Sequence, residues 1–217
     1  MKAALTVAAM VVFIAPGTAF AARFVVNPLG LLTQIHSAPS SGLPGPEGAP
    51  IPQAPPLAAG HSPALNKSVD GIKCQRSEQV LFHIHAHLTI FVNGQARLVP
   101  YGIGIAPPIR GDNTTAGPFV TSGSCFAWLH THTNDGIIHI ESPVQLTYTL
   151  GNFFDVWHQP LNSDQVGPAR GKVTVFVNSE LYVGNPRDIP LLPQAQIQLD
   201  VGLPVIAPES ITFPQGL

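Results

Sequence analysis

From Phe82 to Ile90 the chain alternates between two kinds of residue. Phe82, Ile84, Ala86, Leu88 and Ile90 hold one parity; His83, His85 and His87 hold the other. Successive side chains of a strand point to opposite faces. This pattern therefore predicts a strand with one apolar face and one face of imidazoles. Asn93-Gly94 follows, a pair suited to a type I′ turn, and Ala96 to Val99 returns, so the segment reads as a hairpin. Further strands are predicted over Ile137 to Glu141 and Val144 to Tyr148, separated by Ser142-Pro143. Val173 to Val177 turns through Asn178-Ser179 into Leu181 to Val183, and Ile197 to Val201 closes the set. Thr149 reads as the N-cap of a short helix, Leu150 to Trp157. These elements predict an α+β, mostly β fold. A single β-rich domain with a β-grasp-like order is the first reading, and an antiparallel sandwich or a cupin-like barrel is the alternative.

The pattern is different toward the N-terminus. Met1-Lys2, the apolar run Ala3 to Ile14 and the small-residue site Ala19-Phe20-Ala21 read as a signal peptide over 1–21. Residues 22–65 are dominated from Ser37 onward by Pro, Gly, Ala and Ser, and read as a Pro-rich linker or disordered arm. Residues 66–217 form the His-rich β domain, long enough for a core of its own. No later run is long enough to span a bilayer. The expected location is secreted or periplasmic.

Charge narrows the partners. Net charge is −2, only 10% of residues are charged, and Lys and Arg nowhere cluster. Nucleic acid and anionic membrane surfaces are therefore poor partners. Nothing in the sequence specifies a protein partner. The two cysteines, Cys74 and Cys125, read as a disulfide in an exported chain. The rival reading makes Cys125 a metal ligand, since it lies five residues before His130.

The chain has nine histidines. Besides His83, His85 and His87, a pair His130-x-His132 lies in WLHTHTNDG. His139-x-Glu141 follows in IIHIES, where Ile138 and Ile140 take the opposite face. If these segments pair as neighbouring strands, several imidazoles and one carboxylate converge. Neutral imidazole is the commonest metal ligand near neutral pH. His83 and His87 would stand about 13 Å apart along a strand, while metal–nitrogen bonds are only ~2 Å. A single ion therefore takes a subset of the six histidines, or there are two neighbouring sites. Many His, few acidic clusters and two Met favour copper or zinc. Glu141 is a candidate ligand or general base. Asp135 fits the turn Thr133 to Gly136. His36, His61 and His158 lie outside the constellation.

HIHAHLTIFVNG, LHTHTNDGIIHIESP and TLGNFFDVWHQPL together resemble a family of uncharacterised exported bacterial and archaeal proteins. The likeness covers roughly His83 to Val201 and marks the same histidines and Glu141. It implies no activity. Nucleophile elbows, phosphate-binding glycine loops and Cys-x-x-Cys pairs are absent from the sequence. Three readings follow: an exported protein that captures, buffers or delivers copper or zinc; a secreted metalloenzyme with Glu141 as base; and a structural surface domain with a polar histidine network.

Overall fold

The computed structural model describes residues 23–26, 32–37, 42–60 and 68–217. The signal-peptide segment lies outside the described residues. The alternating run forms an 11-residue strand, β1 (Phe82–Val92), at the centre of a seven-stranded sheet. Its partners are β2 (Gln95–Arg97), β3 (Leu129–His130), β4 (Ile137–Ser142), β5 (Val173–Val177), β6 (Glu180–Leu181) and β7 (Ala195–Val201), in the order β3-β4-β1-β7-β5-β6, with β2 also on β1. Asn93 and Gly94, both at positive φ, make the predicted hairpin turn.

β4 runs antiparallel along the first half of β1, and β2 pairs with its last three residues. β7 lies parallel to β1 on the other edge. A first hairpin, a helix across one face and a last strand parallel to the first is the β-grasp-like order. The sheet stays open, so no barrel forms. The parallel pair also departs from a purely antiparallel sandwich.

Alternation decides what each face covers. Ala86, Leu88 and Ile90 of β1, Ile138 and Ile140 of β4, and Ala195, Ile197, Leu199 and Val201 of β7 enter one core. The helix α1 (Leu150–Val156) packs on that face through Leu150, Phe153, Phe154 and Val156, followed by Trp157. Thr149 caps it reciprocally with Asn152, so two amides of the first turn find partners. Each of those phenylalanines would cost ~3–5 kcal/mol if cut back to Ala.

The opposite face is polar yet mostly buried, because two segments lie over it. The C-terminal tail runs across β7, where Gln196 bonds the Ile211 backbone and Gln198 those of Ile206 and Glu209. Asp200 accepts from the Ile206 amide at 2.8 Å. The second cover is the Pro-rich stretch. Over 42–60 it is packed against the domain and is neither linker nor disordered there. Leu43–Pro44 pairs with Pro50–Ile51 in a small hairpin that buries Ala49 and brings Glu47 to His139 on the polar face, while Leu57 continues into the helix-side core and Trp157 donates to the Ala59 carbonyl at 2.8 Å. Proline-rich composition hides this docking, since the contacts come from single apolar residues without a period.

One predicted strand does not form. Val144 to Tyr148 is irregular, and Val144 and Leu146 are exposed. The Ser142 hydroxyl accepts from the Val144 amide while lying 2.6 Å from its carbonyl, which turns the chain at Pro143. Only Tyr148 returns to the core, its hydroxyl bonded to Ser142.

Cys74 and Cys125 are joined in a disulfide, which removes Cys125 as a metal ligand. The bridge ties the strand Cys74–Gln75 to Cys125–Ala127, directly before β3. It closes a loop of 51 residues, which corresponds to about 4 kcal/mol of unfolded-state entropy. Reduction, or the Cys74→Ser/Cys125→Ser double variant, should lower unfolding free energy by about that amount. Denaturant midpoints that coincide with and without reductant would show that the bridge adds nothing.

Candidate metal centre

The register of three strands builds the site. In the β1–β4 ladder His85 stands opposite His139 and His83 opposite Glu141; in the β4–β3 ladder His139 stands opposite His130. His130, His139 and His85 thus form a row across the polar face. His132, two residues beyond His130, extends it. Its carbonyl accepts from the Val120 amide at 2.9 Å, so the hairpin formed by Arg110–Thr114 and Gly117–Ser122 holds the His132 loop in place.

All of these side chains except His83 are buried; the His83 side chain is 39% exposed and opens the site to solvent. Two overlapping groups can hold a metal ion: His83, His85, His139 and Glu141, and His130, His132, His139 and Glu141. In the first, His83 Nε2 lies 3.1 Å from His85 Nε2 and 3.1 Å from Glu141 Oε1. His139 Nδ1 lies 3.2 Å from His85 Nε2 and 3.3 Å from Glu141 Oε1. Ligands held at ~2 Å in a tetrahedron stand about 3.3 Å apart, so this spacing fits one small ion.

In the second group, His130 Nε2 and His132 Nε2 are 3.1 Å apart. His130 Nδ1 lies 2.9 Å from the Ala127 carbonyl and His132 Nδ1 2.6 Å from that of Val120. A carbonyl only accepts, so each Nδ1 carries the proton and donates. In the neutral rings the two Nε2 atoms then face each other as bare lone pairs, an opposition that a cation between them relieves. Burial, His139 and, for His130, His132 push both pKa values below the ordinary imidazole value, so the rings are neutral at pH 7. His85 is lowered to about 3 by burial and by His139, His83 and His132.

His139 is the exception. Burial alone would lower its pKa, but hydrogen bonds to Glu141 and Glu47 and their charges raise it to about 9. Its Nε2 lies 2.7 Å from Glu47 Oε1. Glu47 comes from the Pro-rich stretch, at the tip of the 43–51 hairpin. It is the only acidic residue between 22 and 65, the one signal in the sequence that could have picked it out. Glu78 is also at the rim, its Oε1 3.4 Å from His132 Nε2. Burial and Glu141 raise its pKa. Buried oxygens of Glu47 and Glu141 (Oε2 in each) have no hydrogen-bond partner. The His139 imidazolium faces both carboxylates through their Oε1 atoms, and the two unpartnered oxygens still carry a desolvation cost.

His87 is not part of either group. Its Nε2 donates to the Asp135 carbonyl at 2.8 Å, and the ring lines a separate cavity of about 350 Å³ with Phe91, Val99 and Ile211. Gly136, at positive φ, lets the 134–136 turn lie against β1, since a Cβ there would come within 2.4 Å of the Leu88 carbonyl. Burial lowers His87 to about 4 despite that hydrogen bond. Asp135 accepts from the Ile137 amide, the expected turn bond, and burial followed by the Glu47 charge raises it to about 7. His36 and His158 lie apart from the cluster, and His61 falls outside the described residues.

No family model, curated protein or solved structure matches the chain.

The raised pKa of His139 gives a pH dependence. A proton held more tightly in the folded state stabilises the metal-free fold below about pH 6.5, and that stability is lost as pH climbs through about 9. An ion bound at Nδ1 must displace that proton. Calorimetric titration with zinc at pH 7.5, in two buffers of different ionisation enthalpy, should report about one proton released for the first ion. Zero release would mean that His139 is neutral before binding.

Proposed function

We propose that this protein is an exported copper- or zinc-binding protein that captures, buffers or delivers the ion, and that it groups with the exported proteins its motifs resemble. The observation that carries the reading is the set His83 Nε2, His85 Nε2, His139 Nδ1 and Glu141 Oε1, with neighbouring atoms 3.1–3.3 Å apart. Three imidazoles and one carboxylate suit zinc or Cu(II) better than calcium or magnesium, which take oxygen ligands. Glu47 on His139 Nε2 supplies the carboxylate that orients a ligating ring.

Four protein ligands close a tetrahedral site and favour holding an ion over working on a substrate. Glu141 stands among the ligands, which favours capture over its use as a general base on metal-bound water. The opposed lone pairs of His130 and His132 weigh against a purely structural polar network, because a network would place a proton between them. The disulfide is compatible with an oxidising, extracytoplasmic setting.

Elemental analysis of untagged protein should find copper or zinc. His85→Ala should weaken binding at least ~100-fold, and Glu47→Gln by ~10–100-fold. His87→Ala should leave affinity within about tenfold, since its ring bonds a backbone carbonyl instead. Competition with a chromophoric chelator measures all three. Equal losses at His85 and His87, or no bound metal in the native protein, would remove the proposal.

A further inference from the structure

The metal reading leaves part of the cluster unused. A single ion at His83, His85, His139 and Glu141 engages Glu141 through Oε1 alone. It leaves His130 and His132 with their lone pairs opposed at 3.1 Å, and Glu141 Oε2 buried and unpartnered. That oxygen lies 4.0 Å from His130 Nε2, the largest separation that two ~2 Å bonds to a common ion can span. His139 cannot serve both groups, because its Nδ1 is committed to the first and its Nε2 to Glu47. Glu78 Oε1 stands at the rim of this second group, 3.4 Å from His132 Nε2.

Resting on the metal-binding reading, we infer that the protein holds two divalent ions bridged by Glu141: one at His83, His85, His139 and Oε1, the other at His130, His132, Glu78 and Oε2. Both oxygens of one carboxylate are then used, and each faces its own pair of histidines. A carboxylate bridge sets the ions on the order of 3.5–4 Å apart. The two positions differ in kind. The first is supplied wholly by strands β1 and β4. The second draws its last ligand from a half-exposed glutamate on a loop, and so exchanges its ion more readily. His130 and His132 are walled by aromatic rings, Phe119 stacking on His132 at 5.1 Å between centroids and Phe126 meeting His130 edge-on at 5.6 Å. Those walls fix the two rings toward each other and exclude water from one side.

The test uses the full mature chain, untagged, stripped with chelator and reloaded with Cu(II). Metal retained after desalting against a micromolar-affinity chelator is counted by mass spectrometry, and spins are counted by electron paramagnetic resonance. The expected result is two ions per chain, with integrated spin intensity well below the metal count because the bridged ions couple. The His130→Ala/His132→Ala variant should retain one ion and recover full spin intensity. Glu78→Gln should speed loss of one ion to the chelator at least tenfold and leave the other unchanged. One ion per wild-type chain overturns the two-ion centre and leaves the metal-binding reading standing. Two ions with full, uncoupled intensity overturn the Glu141 bridge. No retained ion overturns both readings. If the double variant does not fold, wild-type stoichiometry and spin intensity still decide the question.

Discussion

The pairing register of β1 against β4 is the constraint on which the rest depends. It sets His85 against His139 and His83 against Glu141. A strand has a side-chain period of two, so a slip by one residue would carry every imidazole of β1 into the apolar core and every core residue out. Ala86, Leu88, Ile138 and Ile140, all buried against α1, forbid that slip. The hydrophobic face therefore aligns the polar one. Packing energy that has no chemistry of its own decides which imidazoles and which carboxylate stand opposite one another.

The same constraint explains which parts of the fold and site could be read from sequence. Alternation over Phe82–Val92 and Ile137–Ser142 is periodic, so the strands, the shared face of His83, His85, His139 and Glu141, and the core face were all legible. The hairpin at Asn93-Gly94 and the capped helix at Thr149 carry local signals that survive in the fold. Val144 to Tyr148 alternates equally well, but Val144 and Leu146 face solvent, because among the described residues no strand forms a ladder with the segment after Pro143. Alternation reports the opportunity for a strand, and pairing decides whether one forms.

Glu47 and Glu78 carry no periodic signal, for a different reason. Both lie on non-periodic backbone, where a residue's direction is set by tertiary docking and not by its neighbours. His87 shows the converse. It shares a face with His83 and His85, yet its ring turns to the Asp135 carbonyl, because the 134–136 turn approaches β1 there. Membership of a face is a matter of sequence period; membership of a cluster requires distances that only the folded chain supplies.

The hydrogen bond from His139 to Glu47 spans 92 positions of sequence. The arm therefore cannot reach the cluster until the sheet beneath it exists, and long-range contacts of this kind form late because their loop entropy must be met first. The centre is thus an end product of assembly. A partly folded chain presents scattered imidazoles, while the completed one presents an oriented set that meets solvent at His83, so an ion held by the cluster would mark a molecule that has finished folding.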